Sequence, residues 1–476
     1  MMTRRDFLEL GGIGAVAARG APERAPNIFL MLGDDHRWDA LGCMGNRVIR
    51  TPELDRLSEA GVTFENHFTT TAICCVSRAS IFLSQYAAVH GINDFDKPLD
   101  AGQVKRMYPA LLREAGYHTG FIGKFGVGKT MPSAAFDVWN GFGGQGQYFP
   151  QGPAGPHLTD IMRDQAVEFL ENAPREKPFC LSMSFKAPHV QDEDPRQYLP
   201  SRETLSLYRD ETIPGPGGAA ESDIGRFPMA FQHSENRRRW GVRFSTGALY
   251  QESMKGYYRL ISGIDSAVGA IRSALARLKL DENTIVIYSA DHGIFLGEHG
   301  FAGKWLMHEE SIRMPLIIYD PREAGASRGG RRRAMTLNQD LTATVADFAG
   351  LGHPAFYQGR SLRPLLAKDE PGWRASWYYE HNFPYRGWIP SSEGVRTRRW
   401  KYVTYTDVAK PYEELYDLRE DAHETQNLAG SGAHERVKRA MAAYHGKWKA
   451  SLASWDGRSE WADPVVEGDL VRDGLD

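Results

Sequence analysis

At 476 residues, with 42% hydrophobic and 25% charged side chains, the chain has an ordinary globular composition and room for two or three domains. Its 57 Lys and Arg against 60 Asp and Glu leave a net charge of −3, which excludes the strongly basic surface of a nucleic-acid binder. Four cysteines, two of them adjacent, exclude a disulfide scaffold and leave a reactive or modified cysteine to consider.

Residues 1–25 read as a targeting segment, with Arg4-Arg5 in a twin-arginine pattern and a short apolar stretch ending in small residues. That stretch is too short to span a bilayer, and no later run is long and apolar enough, so no stable membrane insertion is expected. The expected location is periplasmic or secreted, by the twin-arginine route. From residue 26 strand and helix signals alternate. Residues 27–32 are an apolar run closed by Gly33, the mark of a buried strand. Pro52–Ala60 reads as a helix, with Pro at its first position and Gly61 past its end. Another helix begins at 79–83, a strand follows at 120–123, a helix at 160–171 and a strand at 179–185. Residues 190–245, rich in Pro, Gly and Arg, read as a long loop excursion carrying Arg237-Arg238-Arg239. A long helical period at 257–278 leads into strands at 284–289 and 315–319. Beyond 372, runs at 377–379, 400–405 and 415–418 look like short antiparallel strands, with a helix at 433–452. The alternation implies an α/β fold whose mostly parallel sheet is covered by helices on both faces.

Asp34 and Asp35 follow the first strand, and Asp291 and His292 follow the strand at 284–289. Ligands of α/β sheets gather at such carboxyl ends, and three carboxylates there suit calcium or magnesium. Taken alone, Asp34-Asp35 would serve equally as turn or capping residues. Cys74 to Arg78 precede an apolar helical run, where backbone N–H groups favour an anion and Arg78 adds a guanidinium. A lone buried cysteine is more often plain packing.

The order Asp34-Asp35, Cys74-x-x-x-Arg78, Gly123-Lys124, Lys186-Ala187-Pro188-His189, Asp291-His292-Gly293 with Gly297-Glu298-His299-Gly300, then Gly303-Lys304-Trp305 resembles the sulfatase family of the alkaline phosphatase superfamily. The resemblance implies an alkaline-phosphatase-like catalytic domain at 26–372 and a smaller C-terminal α+β subdomain at 373–476 with a short antiparallel sheet. It implies a sulfuric ester hydrolase acting on a sulfated small molecule or glycan. Cys74 would be oxidised to formylglycine by a formylglycine-generating enzyme, and its hydrate would be the nucleophile. Asp34, Asp35, Asp291 and His292, with residue 74, would bind Ca2+ in preference to Mg2+. Arg78 would orient the hydrate, while Lys124, His189 and Lys304 face the sulfate, with His189 or Lys304 as general acid. Glu380, His381, Arg396 and Arg398, with the Arg-rich loop, would line a pocket for an anionic sugar.

Two departures from the family pattern stand out. Val76 occupies the position usually held by Pro or Ala in the maturation motif. Gly126 occupies that of a histidine which assists release of sulfate, so either another base replaces it, with His36 and His90 as candidates, or turnover is slow. The same resemblance admits a phosphonate monoester or phosphodiester hydrolase. A catalytically weak protein that binds sulfated glycans is the third possibility.

Overall fold

The computed structural model describes residues 25–475 apart from 218–220, 324–327, 384–387 and 409, and the twin-arginine segment lies outside the described residues. An eight-stranded sheet is built from β1 (Asn27–Asp34), β2 (Val62–Phe64), β3 (His118–Lys124), β4 (Val138–Phe142), β5 (Phe179–Pro188), β6 (Thr284–Ala290), β7 (Ile317–Tyr319) and β8 (Gly330–Arg332). Their order is β8-β2-β7-β6-β1-β5-β3-β4, with only β7 antiparallel to its neighbours.

Strand β1 shows why the sheet is buried on both faces. Its alternate residues Phe29 and Met31 enter one core with Leu181, Met183 and Val286, beneath Leu54 and Leu57 of α1 (Pro52–Ala60) and Ile261 and Ile264 of a 31-residue helix, Gly247–Arg277. Ile28, Leu30 and Leu32 enter the opposite core with Ile285 and Ile287, beneath Ile81 and Phe82 of α2 (Cys74–Leu83). Period-two side chains that are apolar on both sides read as a continuous hydrophobic run.

The excursion at 190–245 differs from its sequence expectation, because it contains α3 (Glu235–Arg243) and the arginine run lies on that helix. Ser234 caps it by accepting from the Arg237 N–H, and Glu235 binds Arg238 and Arg239 one turn ahead. The long helix that follows, α4 (Gly247–Arg277), starts ten residues earlier than its apolar period suggested.

In the C-terminal part β9 (Ser376–His381), β10 (Ser392–Thr397), β11 (Trp400–Tyr405) and β12 (Tyr412–Asp417) form an antiparallel sheet covered by α5 (Glu435–Ser454). Strand β10 was not legible, since Ser392-Glu393-Gly394 gives it no apolar period. This sheet shares a core with the preceding part of the chain through Phe68, Phe295, Phe301, Trp377 and Trp448.

Asp265 of α4 docks α1 across the first core. Thr51 makes no side-chain cap, and the Asp265 carboxylate instead accepts from the N–H groups of Glu53 and Leu54 at 3.0 and 2.8 Å. Burial, with Glu53 and Asp55 nearby, pushes its carboxyl up to about 7. A raised carboxyl binds more protons in the folded state than in the unfolded chain, so stability falls as pH rises from about 4 to about 7. Asp265→Asn keeps an acceptor without the charge. In denaturant titrations the variant should lose up to ~4 kcal/mol of that pH dependence and equal or exceed the parent at pH 8.

Candidate active site

Because β6, β1, β5 and β3 are parallel neighbours, their carboxyl ends meet along one edge of the sheet. Asp34 ends β1, Lys124 ends β3, His189 follows β5, and Asp291 and His292 follow β6. Asp35 turns at φ +66°, a left-handed conformation that aspartate tolerates better than most residues. Asp34, Asp35, His189, Asp291, His292, Lys124 and Lys304 are all buried.

Helix α2 brings Cys74 to this edge, and Cys74 is itself the first helical residue, five positions before the start expected from the apolar run. The sulfur lies 3.2 Å from Lys304 Nζ, 3.4 Å from His292 Nε2 and 3.6 Å from Asp34 Oδ1. Ser77 donates its hydroxyl to the Asp291 carbonyl, seating the helix against the end of β6. Arg78 Nε donates to Asp291 Oδ2 at 3.0 Å, Nη2 to Asp34 Oδ2 at 3.3 Å, and Nη1 to the Lys124 carbonyl and Ser184. One buried guanidinium thereby ties three strand ends together.

Charge is balanced within the cluster. Lys124 pairs with Asp34, and Lys304 Nζ donates to Asp35 Oδ1 at 2.7 Å. Burial alone would raise Asp34, but Lys124, His189 and Arg78 outweigh it and hold its carboxyl well below the usual range. Burial would lower His292, yet Asp291 beside it pushes the imidazole up to about 9. Burial would likewise lower Lys304, yet Asp35 raises it, so its ammonium keeps the proton. His189 behaves oppositely: burial, with Lys304 adding to it, depresses its imidazole well below the ordinary value. Its Nδ1 faces the Val190 carbonyl at 2.7 Å and so carries the hydrogen, leaving Nε2 as the bare nitrogen 3.7 Å from Asp35.

Asp34, Cys74, Asp291 and His292 bring their ligand atoms within 4.8 Å of one another, and Asp34, Asp35 and His189 do the same. Buried carboxylate oxygens with one imidazole fit a hard divalent cation.

His36 and His90 are scaffold residues, not replacements for the missing histidine. His36 Nδ1 bonds the Tyr288 hydroxyl at 2.6 Å and Nε2 the Ala40 carbonyl at 3.1 Å, with burial drawing it down to about 4. His90 joins the Ser80 hydroxyl to the Ile92 N–H, and burial draws it to about 3. Gly126 has φ +75°, and a Cβ there would lie 2.7 Å from Arg78 Cδ. Gly126→His is therefore expected to lower turnover and to lose roughly 1–3 kcal/mol of stability, a strained backbone adding to displacement of Arg78. A gain in turnover would show that the site accommodates the ring.

Glu380, His381 and Arg396 are all buried at the C-terminal sheet, where their contacts are internal. Glu380 accepts from the Ala88 N–H at 2.7 Å, and Arg396 pairs with Glu309 while its guanidinium lies 4.5 Å from the Phe68 ring. His381 packs near Phe383, and Arg398 pairs with Glu467 on the surface. None of the four is brought into hydrogen-bond contact with the carboxylate cluster. Conversely, Gln145 was missed: its Oε1 accepts from Lys124 Nζ at 2.6 Å. The glycines at 143, 144 and 146, following the unread strand β4, were the available signal for a loop at the same sheet edge.

A parallel sheet presenting buried carboxylates, lysines and a cysteine at a helix N-terminus is the architecture of an alkaline-phosphatase-like hydrolase. Residues 26–351 match the sulfatase family, and residues 297–449 match the C-terminal region of N-sulphoglucosamine sulphohydrolase. The chain belongs to the sulfatase family, whose members are hydrolases. It is 29% identical to N-acetylglucosamine-6-O-sulfatase of Bacteroides thetaiotaomicron, over 88% of this chain and 85% of that one. An arylsulfatase of Clostridium perfringens is 27% identical over 87% and 92% of the two chains. The solved structure of BT4656 in complex with its substrate D-glucosamine-2-N,6-O-disulfate superposes with a TM-score of 0.77 at 26% identity, over 92% of this chain and all of that one.

Proposed function

We propose that this protein hydrolyses a sulfate ester carried on a carbohydrate, using residue 74, oxidised to formylglycine, and a calcium ion held by Asp34, Asp35, Asp291 and His292. The observation that carries it is the meeting of Cys74 with Lys304, His292 and Asp34 within 3.6 Å at the end of a parallel sheet. The N-acetylglucosamine-6-O-sulfatase relative and the disulfated glucosamine bound to BT4656 support the carbohydrate.

Formylglycine supplies a hydrated aldehyde as nucleophile. A calcium ion held by Asp34, Asp35, Asp291 and His292 would supply charge withdrawal from the ester oxygens and a lowered pKa for the nucleophile. The chain's own residues do the rest. Arg78 holds Asp34 and Asp291 in place, and Lys124 and Lys304 present ammonium groups to the sulfate. Asp35 holds the proton on Lys304, and His189, drawn down by burial, would donate to the leaving oxygen once protonated.

Cys74 is 1% exposed and already helical, so an enzyme that oxidises it must meet the chain before it folds. Val76 is buried against Ile73, Trp305 and Phe383, which explains why a β-branched apolar residue suits the folded helix whatever it does to maturation. Twin-arginine export, which moves folded proteins, fits that order of events.

Purified protein from its native host should cleave an aryl sulfate faster than a phosphodiester or a phosphonate monoester. Chelation should abolish turnover and calcium restore it. A preference for the phosphorus esters would overturn the sulfatase substrate, and an unmodified thiol at position 74 in active protein would overturn the nucleophile.

A further inference from the structure

Helix α3 reaches the site from outside the sheet and is bonded to the Lys304 segment. Asn236 Nδ2 donates to the carbonyls of Lys304 at 2.8 Å and Ala302 at 3.2 Å. One turn further on, the Arg239 side chain runs over this segment. Its Cδ lies 3.4 Å from where a Cβ on Gly303 would stand, and its guanidinium carbon is 5.1 Å from the Trp305 ring centre.

The Arg239 fork is only partly used. Nε donates to Glu235 at 2.7 Å and Nη1 stands 3.5 Å from Asp192, while Nη2 has no hydrogen-bond partner among the described residues and 12% of the side chain is open to solvent. Asp192, three residues beyond His189, is also the carboxylate that binds Arg243 Nη2 at 3.0 Å. Arg243 Nε donates to Gln197, and its Nη1 is buried with no hydrogen-bond partner among the described residues. Two guanidiniums thus share one carboxylate that is 40% exposed, on the side of the site where Lys304 and His189 stand. Burial, with the like charge of Arg239, lowers Arg243, whereas Asp192, Glu235 and Asp35 raise Arg239 against burial. A guanidinium with a free edge beside an under-compensated one is suited to a planar or tetrahedral oxyanion.

We propose that Arg239, backed by Arg243, recognises a second anionic substituent, a sulfate or a carboxylate, on the sugar whose sulfate ester is cleaved or on the sugar next to it. This rests on the sulfatase reading above. If it holds, the enzyme discriminates by charge pattern: a substrate carrying one sulfate leaves the Arg239 edge unfilled.

The test compares wild type, Arg239→Gln and Arg239→Lys on N-acetylglucosamine 6-sulfate, glucosamine-2-N,6-O-disulfate and a 6-sulfated glucosamine linked to a uronic acid. The readout is the ratio of kcat/KM for each doubly anionic sugar to that for the singly anionic one. Arg239→Gln should lower the ratio for the preferred anion about 10- to 100-fold, as expected for loss of a charge-assisted hydrogen bond, and Arg239→Lys should recover part of it. Which of the two ratios falls separates sulfate from carboxylate. A ratio unchanged in Arg239→Gln, or equal losses on all three sugars, would overturn the subsite. Calorimetric binding of the same sugars to Cys74→Ala and to Cys74→Ala with Arg239→Gln decides the question independently of turnover. If wild type cleaves none of them, the proposed substrate falls, while an affinity difference that depends on Arg239 still upholds the anion site and its absence removes it.

Discussion

Cys74→Ala is expected to reduce hydrolysis of a sulfate ester by at least ~10⁴-fold, because it removes the proposed nucleophile and nothing nearby replaces it. The nearest groups to its sulfur are an ammonium, an imidazole raised to about 9 and a carboxylate engaged by Arg78 and Lys124. None carries a free hydroxyl or thiol. Cys75, the adjacent candidate, points into the cluster of Ile73, Val76 and Trp305, and burial, with Cys74 close by, raises its thiol beyond reach of neutral pH. Stability should change little. Helix α2 is seated by Ser77 and Arg78, and deletion of one sulfur atom leaves those bonds in place. The measurement is a progress curve on an aryl sulfate beside a thermal melt. Activity above a tenth of wild type in a well-folded variant would mean that the nucleophile lies elsewhere.

Asp291→Ala should strike activity and stability together. Its Oδ2 accepts from Arg78 Nε, and its Oδ1 accepts from the backbone N–H groups of Asp35 and His292 at 3.2 and 3.0 Å. Truncation leaves Arg78, 1% exposed, with Asp34 as its remaining carboxylate, and Lys124 competes for that same group. Removing one partner of a buried ion pair typically loses 3–5 kcal/mol, and a loss of about that size is expected in a urea titration. Turnover should fall at least ~10³-fold, since a proposed metal ligand and the clamp on Asp35 are lost in one step. Asp291→Asn separates the two effects: the amide oxygen still serves the backbone donors, so stability is partly restored while turnover is not. Equal stability of Asp291→Ala and wild type would show that Arg78 is held by other means.

What could be read from sequence alone was whatever local chemistry repeats along the chain. Buried parallel strands are apolar on both faces, so 27–32, 179–185 and 284–289 stood out, and Asp34 and Asp291, just past the first and last of them, were site candidates by position. Pro52 and Gly61 marked α1 to the residue. Six motifs in one order carried the family resemblance. Short or mixed elements were illegible for the same reason: β4 contains Asn140 and is half-buried throughout, and β10 opens with Ser392-Glu393-Gly394.

Tertiary structure alone decided which ends become neighbours. Asn27 pairs with Thr284, 257 positions away, and no periodicity encodes such a partner. That pairing brings Asp34 to Asp291 and His36 to Tyr288, while separate contacts tie His90 to Ser80 and Arg396 to Glu309. It also sets the arginine run, which sequence places only in a charged loop, on a helix fastened to Lys304. Composition reports how a residue behaves toward water. Which charge it faces depends on packing between segments hundreds of residues apart.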